Sequence, residues 1–138
     1  MTRLLVVLAL VAAATACGSS TEPSPTSSAP YSQTDLVVGT GLTANSGNQV
    51  LVGYTGWLYD SSRPDGKGTQ FETNPAGYGF RLGAGAVISG WDRGVPGMRI
   101  GGQRRLVIPP DLAYGNRGSG PIPANATLVF DVTLLNVQ

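Results

Sequence analysis

The sequence of 138 residues contains no histidine, a single cysteine and a single lysine. Without histidine, the Ser-His and Cys-His pairs that activate a nucleophile cannot form. The typical zinc and copper sites are excluded as well, because they draw their ligands largely from histidine and cysteine. The lysine, Lys67, lies in a turn rich in glycine and aspartate, which argues against a buried Ser-Lys pair. We therefore expect a protein without a metal or a cofactor, and one that does not use covalent catalysis.

Charged residues are also scarce, at 12% of the chain, and the formal net charge is +1. No basic stripe is available to neutralise phosphates, so we expect no nucleic-acid partner. Twenty glycines and ten prolines indicate short strands joined by many turns. The length predicts one domain with one hydrophobic core.

The first 16 residues have the features of a signal peptide. Arg3 provides a positive start, and the apolar run over residues 4–14 is too short to span a bilayer as a permanent helix. Ala14-Thr15-Ala16 then precedes Cys17, which resembles the bacterial lipobox, although that pattern prefers leucine where Ala14 stands. We expect an exported protein of the bacterial cell envelope, anchored in the membrane by a lipid on Cys17. The alternative is an ordinary secretory signal followed by an unpaired thiol.

Residues 17–32 are rich in serine, threonine and proline and show no apolar periodicity. Such a segment buries too little surface to offset its ordering entropy, and we interpret it as a flexible tether. The folded domain is expected over residues 33–138.

Apolar residues in this domain alternate as in β-strands. One face of a strand carries Val50, Val52, Tyr54 and Leu58, and its other face carries Leu51, Thr55, Trp57 and Tyr59. Further strands are predicted around residues 36–38, 78–82, 106–108 and 128–134, and a loop or bulge over residues 61–70. One short helix is predicted over residues 88–94. Its apolar face, with Ile88, Trp91 and Val95, must pack against the sheet, because so short a helix is not stable alone.

Five motifs, in this order and at this spacing, resemble the FKBP family of peptidyl-prolyl cis/trans isomerases. They are YTG at 54–56, FE at 71–72, VISGW at 87–91, PDLAYG at 110–115 and ATLVFD at 126–131. The resemblance covers residues 33–138. It implies an α+β fold in which a strongly twisted antiparallel β-sheet of about five strands wraps on one short helix.

The resemblance also implies the residues of a proline-binding pocket. Trp91 would form its floor, the Ile88 backbone N–H and the Tyr114 hydroxyl would donate to substrate carbonyls, and Ile122 would close the loop side. The catalytic residues would be Tyr54, Phe71, Glu72, Trp91, Tyr114 and Phe130. The residues that bind substrate would be Tyr78, Val87, Ile88 and Ile122.

Four departures from the family pattern concern the rim of this pocket. Glu72 stands where the family usually has aspartate, and the following loop, 73–77, lacks the arginine that often pairs with this acid. Tyr78 replaces a phenylalanine, and Ser119 stands near the position of a common histidine. These departures bear on macrolide affinity and substrate preference rather than on the fold.

The function implied is cis/trans isomerisation of X-Pro bonds in exported or envelope proteins, by non-covalent stabilisation of a twisted amide in an aromatic pocket. This chemistry needs no metal, cofactor or nucleophile, which agrees with the composition. The implied partners are proline-containing polypeptides and a macrolide ligand of the rapamycin type, and we expect a monomer. The alternative is a non-catalytic FKBP-like module that binds peptides or acts as a chaperone.

Overall fold

The computed structural model describes residues 28–138, which form one antiparallel sheet of five strands with the order β1-β4-β5-β2-β3. The strands are β1 (Ser32–Val37), β2 (Gln49–Tyr59), β3 (Lys67–Arg81), β4 (Gln103–Ile108) and β5 (Leu128–Val137). One α-helix, α1 (Ser89–Gly94), lies between β3 and β4 in the described chain, and a 3-10 turn (Pro110–Leu112) follows β4. The predicted α+β fold, with about five antiparallel strands and one short helix, is confirmed.

The two central strands bury the faces that their alternation predicts. In β2, Val50 and Val52 are buried, and Tyr54 and Leu58 are partly buried against the same core. In β5 the buried residues on the predicted face are Leu128, Phe130, Val132 and Leu134. The core therefore lies between this side of the sheet and α1.

The helix packs on β4 through glycines, which lets its backbone approach the sheet closely. A Cβ atom on Gly90 would lie 2.5 Å from Cγ2 of Ile108, and one on Gly94 would lie 2.5 Å from Cδ2 of Leu106. Both β4 side chains are fully buried and cannot turn away into solvent. This contact fixes the position of Trp91, which follows Gly90.

Replacing Gly90 with alanine should lower the free energy of unfolding by about 1–3 kcal/mol, since overpacking a filled core typically costs this much. Urea unfolding of the two proteins measures the difference. Gly79→Ala is the matched control, because a Cβ atom there meets nothing closer than 3.8 Å. A Gly90→Ala protein as stable as Gly79→Ala would show that the helix can move away from β4.

Strand β3 is longer than predicted, and this corrects the loop expected over residues 61–70. Residues 67–70 are paired with β2, with Tyr59 opposite Lys67 and Trp57 opposite Gln70. The loop is closed by a hydrogen bond from the Asp60 N–H to the Gly66 carbonyl, at 2.9 Å. The glycines and the proline of residues 61–70 indicate a turn, but pairing with β2 provides hydrogen-bond partners for the backbone groups of residues 67–70 and so extends the strand.

Residues 73–77 also lie within β3 rather than in a free loop: Thr73 and Asn74 are paired with β2, and residues 75–77 form a bulge. Val52 faces Tyr78 and Tyr54 faces Asn74, so that residues 75–77 of β3 lie opposite the single residue Gly53 of β2. The Asn74 side chain brackets the bulge: its Oδ1 accepts from the Gly77 N–H at 3.2 Å, and its Nδ2 donates to the Gly77 carbonyl at 3.3 Å. The bulge re-aims the chain between Glu72 and Tyr78, two pocket residues.

Edge strand β1 contains the predicted Leu36, but its apolar side chains do not enter the core. Leu36 is 40% exposed, and Val38, which lies past the end of the strand, is 76% exposed. The strand begins at Ser32, one residue before the expected domain boundary, and Tyr31 already packs against the core.

The predicted signal peptide (1–16) and Cys17 lie outside the described residues, as does most of the tether. They stay predictions. No helix within residues 28–138 is long and apolar enough to cross a membrane.

Candidate active site

A cavity of about 250 Å³ opens among α1, strands β2, β3 and β5, the loop before α1 and the loop after β4. It is lined by Tyr54, Glu72, Tyr78, Ala86, Val87, Ile88, Trp91, Tyr114 and Phe130. The structure thus brings eight of the ten predicted pocket residues together around one cavity. Ala86 is an additional lining residue that the sequence reasoning missed.

Trp91 lies at the centre of the aromatic cluster beneath this cavity. Its ring packs edge-on against Tyr54 and Phe130, with 4.8 and 5.3 Å between the ring centroids. The centroid of the Phe80 ring lies 5.8 Å away. The indole is only 5% exposed, and its Nε1 has no hydrogen-bond partner among the described residues. Edge-to-face contacts of this kind hold aromatic rings in fixed orientations. The floor is therefore a rigid apolar surface.

Two of the predicted residues, Phe71 and Ile122, do not line the cavity. Phe71 packs edge-on against Phe130, with ring centroids 5.6 Å apart. Both rings close over Gly56, where a Cβ atom would lie within 2.7 Å of each of them. Ile122 is 6% exposed and belongs to the hydrophobic core.

Tyr54 and Glu72 form the polar wall of the cavity. The Tyr54 hydroxyl donates to Glu72 Oε1 at 2.7 Å. Burial, and then the hydrogen bond and the negative charge of Glu72, raise the pKa of the Tyr54 hydroxyl well above its usual range. Tyr54 is therefore neutral at physiological pH, and its ring is fixed in orientation by the carboxylate.

Tyr114 stands at the rim on the loop that follows β4. Its side chain is 37% exposed, and its hydroxyl has no hydrogen-bond partner within the described chain. Burial, and then the charge of Glu72, raise the pKa of this hydroxyl too. The loop is fixed at its base by a bond from the Gly115 N–H to the Pro110 carbonyl, at 2.8 Å, and by the buried Ile122. A neutral donor is thus presented to the cavity on a constrained loop.

The backbone N–H of Ile88 is a second free donor. Ile88 precedes the first residue of α1, and its carbonyl accepts the N–H of Trp91 at 3.0 Å. Its own N–H donates to no group among residues 28–138. An unpaired amide at the edge of an apolar cavity is well placed to bind a peptide carbonyl.

Asp92 positions the chain that leads to Ile88, a role that the sequence reasoning missed. Its Oδ1 accepts the Gly83 N–H at 2.9 Å, and its Oδ2 accepts the Gly85 N–H at 3.0 Å. Both glycines have positive φ angles, of 82° and 72°, so the turn depends on them. The signal was present in the sequence as a Gly-X-Gly turn shortly before an acidic residue on a short helix.

Replacing Asp92 with alanine should release this turn and disorder the wall formed by Val87 and Ile88. We expect about 1–2 kcal/mol less stability, since hydrogen bonds to a charged acceptor are lost, and weaker binding of any ligand in the cavity. Asp92→Asn keeps one of the two acceptor oxygens, so it should lose less stability and less ligand affinity than Asp92→Ala. Urea unfolding and ligand titration measure the two effects, and unchanged ligand affinity in folded Asp92→Ala would show that the turn does not position the wall.

The arrangement offers shape and neutral hydrogen-bond donors rather than reactive groups. No cluster of three potential metal ligands occurs among residues 28–138. Such a cavity can hold an apolar ring against Trp91 while donors at the rim bind the backbone on either side of it.

Comparison with known proteins identifies relatives of the same architecture. Residues 41–135 match the family "FKBP-type peptidyl-prolyl cis-trans isomerase". The chain is 51% identical over 106 residues to FK506-binding protein 4 of Gibberella zeae, covering 75% of this chain and 20% of that protein. It is 47% identical over 107 residues to the 46 kDa FK506-binding nuclear protein of Spodoptera frugiperda, covering 75% of this chain and 24% of that one. The chain thus spans about a fifth to a quarter of the length of these curated relatives.

Solved structures give the same result. The crystal structure of FkpA from Escherichia coli has a TM-score of 0.65 and 38% identity, covering 78% of this chain and 48% of that one. The crystal structure of AtFKBP13 has a TM-score of 0.67 and 35% identity, covering 78% of this chain and 93% of that one.

The curated relatives contradict the predicted location. Those named above come from a fungus and an insect, and one of them is named a nuclear protein. Other fungal FK506-binding proteins match over the same length. These relatives point away from the envelope of a bacterial cell, so the predicted location is wrong.

Proposed function

Because the chain belongs to the FKBP-type peptidyl-prolyl cis-trans isomerase family, we propose that it catalyses the cis/trans isomerisation of X-Pro bonds in polypeptides. The observation that carries the proposal is the aromatic cavity over Trp91, bordered by the N–H of Ile88 and the hydroxyl of Tyr114, neither of which has a hydrogen-bond partner among residues 28–138. A reaction that needs only shape and neutral donors suits this cavity.

The barrier to this reaction comes from amide resonance and is about 20 kcal/mol. In the twisted transition state the resonance is lost, so the carbonyl is less polar than in either planar form. An apolar site favours such a species over the planar amide, and this difference in binding is what lowers the barrier. No proton or electron pair has to be transferred to a side chain.

Each part of the site has a role in this scheme. Trp91 supports the proline ring from below, and Phe130 and Tyr54 hold it at the sides. The Ile88 N–H and the Tyr114 hydroxyl bind carbonyls of the flanking backbone, so that rotation is confined to the bond before proline. Glu72 fixes the Tyr54 ring through its 2.7 Å hydrogen bond.

The proposal is tested by protease-free isomerisation kinetics on Leu-Pro and Phe-Pro peptides, in the presence of a chelator and without nucleotide. We expect a rate that rises linearly with the concentration of the chain above the uncatalysed background. If the rate stays at background while the peptides bind to the folded protein, the chain is a non-catalytic binding module instead.

Replacing Tyr114 with phenylalanine should separate binding from stability. The lost hydroxyl has no hydrogen-bond partner among the described residues, so the melting temperature should hardly change, as for other exposed substitutions. One neutral hydrogen bond is worth about 0.5–1.5 kcal/mol, so kcat/KM should fall by roughly two- to tenfold. A loss of stability with unchanged kcat/KM would show instead that Tyr114 is structural.

We also propose that a macrolide of the rapamycin type binds in the same cavity. The curated relatives are named FK506-binding proteins, and this supports the proposal. Such a ligand should inhibit isomerisation in competition with the peptide, and inhibition that excess peptide does not relieve would argue for a different site.

A further inference from the structure

Glu72 is the one charged side chain among the residues that line the cavity. Its Oε1 accepts the Tyr54 hydroxyl, and its Oε2 has no partner among the described residues. No arginine or lysine of the described chain lies within salt-bridge distance of it, whereas Asp35, Asp60 and Asp131 are all paired with cations. The cavity therefore carries an uncompensated negative charge.

The cations of the described chain are largely occupied elsewhere. Those in ion pairs are Arg63, Lys67, Arg104 and Arg105. Arg93 lies over the ring of Tyr31, with 4.7 Å to its centroid, and Arg81 donates to the Gly47 carbonyl. Arg99 and Arg117 form no salt bridge among the described residues, and neither lies within salt-bridge distance of Glu72. The Glu72 carboxylate is therefore open to a cation from a bound ligand.

The surroundings of Glu72 suit a cationic side chain. Tyr78 and Tyr114 also line the cavity and are 45% and 37% exposed, so their rings are open to contact. Aromatic faces attract ammonium and guanidinium groups when these lie within about 6 Å of the ring centroid. The charge of Glu72 also reaches across the cavity, because it contributes to the raised pKa of the Tyr114 hydroxyl.

We propose that Glu72 gives this site a preference for X-Pro bonds that have a lysine or arginine directly before or after the proline. This inference rests on the proposed function, since it concerns the substrate class of the same cavity. The proline ring occupies the floor over Trp91, and the neighbouring cation lies at the rim between the Glu72 carboxylate and the tyrosine rings.

The expected preference is modest, because Glu72 is exposed to solvent. Exposed ion pairs are weak and are screened by salt. For two peptides that differ only in lysine or glutamate beside the proline, we expect kcat/KM to differ about two- to fivefold at low ionic strength. The ratio should approach one when the salt concentration is raised to about 1 M, where the Debye length is only about 3 Å.

The test compares this lysine-to-glutamate ratio in the wild type, in Glu72→Gln and in Asp111→Asn, with the full chain. Glu72→Gln removes the charge but keeps an oxygen acceptor for Tyr54. The quantity compared is the lysine-to-glutamate ratio of each variant, not its overall rate of isomerisation. Asp111→Asn removes a charge from the neighbouring 3-10 turn, outside the cavity lining. We expect the ratio to fall to about one in Glu72→Gln and to persist in Asp111→Asn.

Two results would overturn the proposal: a ratio of one in the wild type at low salt, or a ratio that survives in Glu72→Gln. The affinities of the same peptides, measured by calorimetry, provide a readout that does not depend on turnover. If no peptide is isomerised, the proposed function fails, and the affinity ratio still decides whether Glu72 selects cations.

Discussion

Replacing Trp91 with leucine should lower kcat/KM for a Leu-Pro peptide by about tenfold or more. The substitution removes three ring contacts, to Tyr54, Phe80 and Phe130. It also removes the flat indole surface on which the proline ring would lie, and a loss of 1.36 kcal/mol from transition-state binding is a factor of ten. Leucine still fills most of the space, so the protein should stay folded. Alanine would leave a void that costs about 3–5 kcal/mol, and is the poorer probe of catalysis.

Trp57→Leu is the matched control for this experiment. Trp57 lies in the same strand as Tyr54 but on the opposite face. There the Nζ atom of Lys67 lies 4.0 Å from the centroid of the Trp57 ring. Trp57 does not line the cavity. Its replacement should leave kcat/KM within about twofold, and equal losses in the two variants would show that the floor over Trp91 is not the catalytic surface.

Replacing Arg104 with methionine should lower the free energy of unfolding by about 2–5 kcal/mol. Arg104 is 7% exposed and donates to the carbonyls of Gly94 and Pro96, at 2.7 and 3.0 Å, and to Asp35 at 2.6 Å. It thereby joins the end of α1 to β4 and to the edge strand. Two carbonyls would lose their partner, and each buried polar group left unpaired costs about 1–3 kcal/mol.

Asp35→Asn separates the carbonyl contacts from the ion pair. The Asp35 side chain is 49% exposed, so its charge is largely hydrated and its removal should cost at most about 1 kcal/mol. Urea unfolding of both variants tests the account. If the two variants lose the same free energy of unfolding, the ion pair with Asp35, and not the contact with the helix end, is what stabilises the fold.

The strand faces could be predicted because one side of each central strand is buried, so that a period of two appears in the sequence. The same rule places Arg104 on the face of Leu106 and Ile108, and this signal was available but unused. Edge strand β1 could not be predicted in detail. Leu36 and Val38 are as apolar as core residues, and only their tertiary position leaves them exposed.

The pocket residues were predicted from the family resemblance, and the structure brings most of them to one cavity. Composition alone could not have done this, because the residues come from β2, β3, α1, β5 and two loops. The roles of Asp92 and of the bulge at residues 75–77 depend on hydrogen bonds from backbone N–H groups to the side chains of Asp92 and Asn74, and neither side chain belongs to one of the five motifs.

The most direct test of the central claim is exchange NMR on a Leu-Pro peptide at equilibrium, with the full chain present in substoichiometric amount. A catalyst speeds both directions equally, so the account predicts faster cis/trans exchange with an unchanged cis fraction, and a much smaller acceleration by Trp91→Leu. An unchanged exchange rate in the presence of folded, peptide-binding protein would contradict it.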